Sequence, residues 1–138
     1  MLASLLELLA ANDDRRCMAI GDLNAGLPID STHEVPYFKP ESRLPRLLES
    51  GWVDAYRHGN GDAREFSHWN NSRGNGFLLD HALVAPGLLD AVTGAVLVHE
   101  VAGIPLLSIP GDPRTRGAVS DHSALVVDLN VEVATAVA

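Results

Sequence analysis

Cysteine is almost absent: among 138 residues only Cys17 carries a thiol, so no disulfide within the chain can staple the fold. Its place in an apolar run predicts a buried, inert thiol, and a lone cysteine is consistent with the cytosol. Positive charge is also scarce. Ten Lys and Arg face eighteen Asp and Glu, a net charge of −8, which excludes a broad basic surface that would hold nucleic acid by charge alone. A phosphate-bearing substrate would need local arginines or a bound cation. Residues 1–11 are dense in leucine but too short to span a bilayer, and they carry Glu7 and lack both a basic stretch and a cleavage pattern. Neither a membrane span nor a targeting segment is expected. The chain also lacks a P-loop, a Gly-x-Gly-x-x-Gly turn and a Cys/His zinc pattern. Ser120 sits in no Gly-x-Ser-x-Gly elbow, so a serine hydrolase is not indicated. Internal repeats and low-complexity linkers are missing too, and no boundary divides the chain.

What remains is a soluble-type composition, 46% apolar, sized for one domain with one modest core. Leu2, Leu5, Leu6 and Leu9 follow helical spacing and predict an amphipathic helix stopped by Asn12-Asp13-Asp14. Cys17 to Ile20 is a short continuous apolar run, expected as a strand buried on both faces, with a turn over Asp22 to Gly26. Pro28, Pro36, Pro40 and Pro45 predict nearly twenty residues without regular structure. A short helix carrying Leu44, Leu47 and Leu48, capped by Ser42 and stopped by Gly51, should follow, then Trp52 to Arg57 as helix or turn with its aromatics inward.

Glu65 to Trp69 alternates as a strand does, and Asn70 to Gly76 is rich in turn formers. Phe77 to Val84 is expected as one strand ended by Pro86-Gly87, interrupted by Asp80 and His81. An acid inside an apolar run must have a partner, and His122 is the expected one. Strand alternation turns His81 to the other face, in a packing role. Ala95 to Val98 and Ala124 to Val131 complete the strands, separated by a loop over 108–118, with a fraying tail from Glu132. His33, His58, His68 and His99 are expected at the surface or in structural roles, and the arginines mostly as solvated charges.

The polar residues at strand ends are Asp22, Asn24, Asp80, Asp121 and His122. This set suits metal-assisted hydrolysis of a phosphate ester, in which carboxylate oxygens hold Mg²⁺ and the ion neutralises phosphoryl oxygens. Asp22 would orient or deprotonate the attacking water, and Asn24 would donate to the phosphate. His122 would face the phosphoryl oxygen or the nucleophile, with Asp80 fixing its tautomer. Asp121 alone is a sparse metal site. Arg73 is the arginine best suited to contact phosphate.

Gly21-Asp22-Leu23-Asn24, Gly51 to Arg57, Phe66-Ser67-His68-Trp69, Leu79 to Val84 and Ser120-Asp121-His122 together resemble, in order, the motifs of the endonuclease/exonuclease/phosphatase family, most like its exonuclease III branch. The resemblance implies an α/β fold, a four-layer α/β/β/α sandwich with mixed sheets, of which residues 1–138 would be a single partial domain, the C-terminal half. It implies a Mg²⁺- or Mn²⁺-dependent hydrolase of phosphodiester or phosphomonoester bonds, most plainly a DNA endo- or exonuclease. Asp22, Asn24, Asp80 and His122 would be catalytic, Asp121 a metal ligand, and Trp69 would lie near the substrate. Leu78 stands where relatives commonly carry arginine. The family's N-terminal region supplies an asparagine and a glutamate to the metal site, and no segment before Asp22 can provide them. Two alternatives follow: a non-catalytic fragment that assembles with a partner half or with itself, and a family phosphatase acting on a small-molecule or lipid phosphate.

Overall fold

The computed structural model describes residues 7–9, 11, 16–32 and 43–131. Its elements run β1 (Met18–Asp22), a 3₁₀ turn (Pro28–Asp30), α1 (Arg43–Glu49), β2 (Val53–Asp54), α2 (Ala55–Asn60), β3 (His68–Asn70), β4 (Asn75–Phe77), β5 (Asp80–Val84), α3 (Pro86–Leu89), β6 (Val92–Val98), β7 (Glu100–Val101), β8 (Ile104–Pro105), a second 3₁₀ turn (Pro113–Thr115) and β9 (Ala124–Leu129). The architecture is mixed α/β. The resemblance implies mixed sheets, yet among the described residues every ladder between strands is antiparallel, and the one parallel pairing is an isolated bridge between Leu107 and Ser120.

β5 is the central strand of a sheet ordered β1-β5-β2, and its alternation sorts side chains to two faces. On one face Leu83 joins Leu44, Leu47 and Trp52, so α1 and the start of β2 cover it. On the other, Ala82 and Val84 join Tyr56, Leu88, Ala95 and Leu97, so α2 and the β6–β9 pair cover that. Burying these side chains stabilises the fold by about 25 cal/mol for each Å² of apolar surface removed from water. Leu78 is fully buried in the second cluster, where an arginine's charge would have no solvent. The position supports the core.

Helix ends follow local chemistry. Pro45 lies inside α1 rather than in a loop, in the first turn, where backbone N–H groups have no helical partner to lose. Asp54 caps α2 by accepting from the N–H of Tyr56 at 2.9 Å and of Arg57 at 3.3 Å. Gly51, at φ +102°, turns the chain out of α1 in a conformation that favours glycine.

Several boundaries differ from expectation. β1 is not buried on both faces: Ala19 packs toward α1, but Ile20 on the opposite face is 52% exposed. Phe77 to Val84 is two strands rather than one, because Leu78 and Leu79 turn the corner between β4 and β5. The alternation over Glu65 to Trp69 is displaced to His68–Asn70, α2 runs on to Asn60, and Pro86 begins a helical turn instead of only ending a strand. Part of the proline-rich stretch is ordered: Asp30, in the first 3₁₀ turn, accepts from the Leu27 N–H and pairs with Arg57, whose Nε lies 2.9 Å away. Arg57 is therefore a structural partner, not a solvated charge. The cap at Ser42, His33, Leu2, Leu5, Leu6 and the tail from Glu132 lie outside the described residues; Glu7 to Leu9 are helical, with Leu9 buried. Among the described residues no helix is long and apolar enough to cross a membrane.

His81, on the α1 face of β5, is fully buried. Its Nδ1 lies 2.6 Å from Asp54 Oδ2 and its Nε2 2.8 Å from the Ala25 carbonyl. Burial alone would lower its pKa, but the hydrogen bond and charge of Asp54, then Asp30 and the Ala25 carbonyl, raise it overall above the ordinary 6.5. The folded state therefore binds the proton more tightly than the unfolded chain, so this contribution to stability is complete below the unfolded value and is lost as pH rises through the folded one. Urea unfolding should show the wild-type advantage over Asp54→Asn shrinking as pH is raised above about 6.5. Asparagine keeps the helix cap, so a difference that did not change with pH would exclude the charge-based account. A second check is steric: a Cβ on Gly76 would sit 2.4 Å from Phe66 Cγ, so Gly76→Ala should lower stability by about 1–3 kcal/mol in the same assay.

Candidate active site

The site is assembled on Ser67, a fully buried serine just before β3. Its Oγ accepts from the Leu79 N–H at 3.0 Å and the Asp80 N–H at 3.2 Å, at the corner where β4 becomes β5. Its carbonyl accepts from the Ser123 N–H at 2.7 Å, just before β9. One residue thus fixes the segment that carries Asp80 and the segment that carries His122. These two side chains meet: His122 Nδ1 lies 2.7 Å from Asp80 Oδ2, both partly buried.

Asp121 is exposed beside this pair, and the Ser120 Oγ accepts from the His122 N–H at 3.0 Å, shaping the turn into β9. His68, at the first position of β3, forms an antiparallel bridge with His122. Its Nδ1 lies 3.0 Å from the Asp121 carbonyl oxygen, and the two imidazole rings stand 4.7 Å apart at 37°. His68, expected at the surface or in a structural role, is half-buried and stands beside Asp121 and His122. A ligand atom from each of His68, Asp121 and His122 lies within 4.8 Å of the others.

Asp22 arrives from β1. It is the register partner of Asp80, so the two acids share one face of the sheet. Asp22 Oδ1 accepts from the Asn24 backbone N–H at 2.8 Å and Oδ2 from Asn24 Nδ2 at 3.0 Å. These bonds hold Asn24 at φ +47°, a left-handed turn that asparagine tolerates better than most residues. Asn24 and His68 line the same small cavity of about 130 Å³, with Asn70, Phe77 and Leu79, which connects the two sides of the site.

Trp69 and Arg73 are not brought into this cluster. Trp69 follows His68 on β3, so alternation turns it to the other face, where its ring lies 5.5 Å from Phe66. Arg73 is exposed in the turn between β3 and β4. Sequence reasoning missed the roles of Ser67 and His68. Their signal was present in Phe66-Ser67-His68-Trp69: a serine before a strand is a natural acceptor for a neighbouring corner, and strand alternation puts His68 and Trp69 on opposite faces.

Ser67→Ala would leave the Leu79 and Asp80 N–H groups without their acceptor in a buried setting, at a cost of about 1–3 kcal/mol. Denaturant unfolding should show this loss. Histidine NMR should show a displaced His122 resonance, while Ser67→Thr, which keeps the oxygen, should retain most of the wild-type signal.

No protein-family model matches the chain, and no curated protein matches it. Solved structures do. The chain is similar to the 3′ phosphatase NExo from Neisseria bound to product DNA hairpin, at 19% identity and TM-score 0.69 over 94% of this chain and 51% of that one. It is similar to the 3′-5′ exonuclease NExo from Neisseria meningitidis, at 19% identity and TM-score 0.69 over 94% of this chain and 52% of that one. It is also similar to an AP endonuclease from Archaeoglobus fulgidus, at 23% identity and TM-score 0.68 over 94% of this chain and 52% of that one. The chain spans about half the length of these structures. At such identities the likeness is one of fold alone, a mixed α/β fold shared with about half of each of these structures.

Proposed function

We propose that the chain carries the phosphate-facing part of a divalent-metal-dependent phosphoesterase of the endonuclease/exonuclease/phosphatase family, acting on DNA as a nuclease. The observation that carries this reading is the 2.7 Å contact between His122 Nδ1 and Asp80, beside Asp121 and across from Asp22 and Asn24. With its Nδ1–H donated to Asp80, His122 presents Nε2 in a fixed orientation, and when the ring is protonated this Nε2–H donates to a phosphoryl oxygen. Asp22, its carboxylate already held by Asn24, orients the attacking water and accepts its proton. The Asn24 amide has a second N–H, which donates to a phosphoryl oxygen.

The donor set fits a hard divalent ion in a limited way. Mg²⁺ and Mn²⁺ are commonly held by one or two carboxylates together with substrate phosphate, and Asp121 offers one exposed carboxylate. Asp121 would hold such an ion, which when bound supplies positive charge at the phosphoryl oxygens. Trp69, half-buried on the face of β3 opposite His68, and Arg73, exposed in the turn that follows, would meet a substrate longer than one nucleotide. The fold of the neighbours supports a DNA substrate: one neighbour is a 3′ phosphatase bound to a DNA hairpin and another is a 3′-5′ exonuclease.

A second reading, in which the four-layer sandwich is completed by another chain segment or a second copy, is favoured by apolar side chains left open on the strands. Ile20 on β1 and the cross-strand pair Val96 and Val126 on β6 and β9 are exposed. Such strands self-associate unless covered.

Cleavage of abasic, 3′-phosphorylated and intact duplex DNA, with a soluble inositol phosphate and a nucleotide as further arms, tests the assignment in the presence of Mg²⁺ or Mn²⁺. His122→Ala and Asp22→Ala should each lower the rate by about 10²-fold or more. A loss below about tenfold in both variants removes the catalytic roles, and preference for the small phosphates replaces the nuclease with a phosphatase. Sedimentation of the same sample separates the second reading: an active monomer excludes it.

A further inference from the structure

The hard-ion reading uses Asp121 and leaves unexplained why two imidazoles crowd the same point. We propose that His68, Asp121 and His122 form a binding site for a borderline transition-metal ion of the zinc class. The inference deepens the reading above, because the site shares His122 with the proposed phosphate contact, but its existence does not depend on cleavage.

The geometry prepares both imidazoles as metal ligands. A backbone carbonyl can only accept, so His68 Nδ1, 3.0 Å from the Asp121 oxygen, must carry the hydrogen. His122 Nδ1 is likewise held by the Asp80 carboxylate at 2.7 Å. In the neutral form of each ring this tautomer leaves the lone pair on Nε2. Metal-bound histidines are oriented in this way, with the far nitrogen donating to a carbonyl or a carboxylate. The backbone bridge between residues 68 and 122 fixes the two rings relative to each other, 4.7 Å between centres, so little order has to be created on binding. Asp121, adjacent in sequence to His122 and exposed, supplies the third donor, within the 4.8 Å that encloses all three.

Ligand chemistry selects the ion. Imidazole favours Zn²⁺, Co²⁺ and Ni²⁺ far more than Mg²⁺, which prefers oxygen and sheds water reluctantly. Two imidazoles and one carboxylate with an open fourth position are the donor count of a three-ligand zinc site. The consequence for function is competition. An ion of this class occupies the Nε2 of His122, the atom required by the proposed phosphoryl contact, so it should antagonise rather than support Mg²⁺-dependent cleavage.

Titration of the 138-residue chain with Co²⁺, followed by its visible ligand-field absorption, tests the site without reference to activity. One equivalent of Co²⁺ should produce tetrahedral-type bands that Zn²⁺ abolishes and a large excess of Mg²⁺ leaves in place. His68→Gln and Asp121→Asn should each abolish the bands. Asp80→Asn should weaken binding roughly 10–100-fold, because it loosens His122 without removing a ligand. His58→Ala, at an exposed histidine on α2 outside the cluster, should bind as wild type. Circular dichroism of each variant separates lost ligation from lost fold, and should His68→Gln fail to fold, Asp121→Asn and Asp80→Asn decide alone. The proposal is overturned by the absence of bands, by bands that survive in His68→Gln, or by displacement with Mg²⁺. Phosphoesterase activity that persists without Co²⁺ binding rejects this site alone; Co²⁺ binding without any phosphoesterase activity leaves the site standing and rejects the catalytic reading.

Discussion

The arrangement depends on one buried residue, Ser67, through its hydroxyl and its backbone carbonyl. A sheet corner leaves backbone N–H groups without ladder partners, and at the β4–β5 corner those groups belong to Leu79 and Asp80. Both donate to the same hydroxyl. Because the backbone carbonyl of Ser67 also holds Ser123, the corner and the entry to β9 cannot move apart. Local satisfaction of backbone hydrogen bonds is thereby converted into a fixed separation between Asp80 and His122.

Three acids are held inside the fold in a similar manner. Asp30, Asp54 and Asp80 are each buried or partly buried, and each has a cationic or titratable partner: Arg57, His81 and His122. A buried carboxylate without such a partner is expensive, so these three pairs decide where the chain can cross itself. Asp54 has two tasks, capping α2 and holding His81, and so joins β2, α2 and β5 at one point. Asp22 and Asp80, opposite each other across β1 and β5, would repel as free carboxylates. Asn24 on one side and His122 on the other take up their oxygens. Most of the other described acids, Glu49, Asp62, Asp90 and Asp128 among them, are exposed, so the surface keeps the negative charge that discourages nonspecific binding to nucleic acid.

How far the sequence foretold this differs by kind of signal. The Asp80–His122 pair was legible because an acid within an apolar run demands a partner and few candidates existed. The packing role of His81 followed from alternation, as did the inward aromatics Trp52 and Tyr56, both buried. Corners were not legible: nothing in Phe77 to Val84 marks Leu78 and Leu79 as a break, since a sheet corner is stabilised by a distant serine and not by local propensity. Pro45 misled for a similar reason, because proline excludes a helix interior but not a first turn. His68 escaped notice since a lone histidine carries no pattern of its own; only the bridge to residue 122, a contact between chain segments far apart in sequence, gives it a neighbour.

That bridge decides what His122 can do. A histidine that donates to a phosphoryl oxygen and a histidine that binds a metal ion both need an Nδ1–H engaged elsewhere and an Nε2 aimed at open space, but the first carries a proton on Nε2 and the second a lone pair. Asp80 provides the first condition for either chemistry. What also separates them is the second ring. A single phosphate contact through His122 does not call for a second ring 4.7 Å away, whereas a metal site gains a ligand. The position of His68 therefore carries information that the Asp80–His122 pair does not, and it tilts the shared centre toward softer ions than an all-carboxylate site would accept.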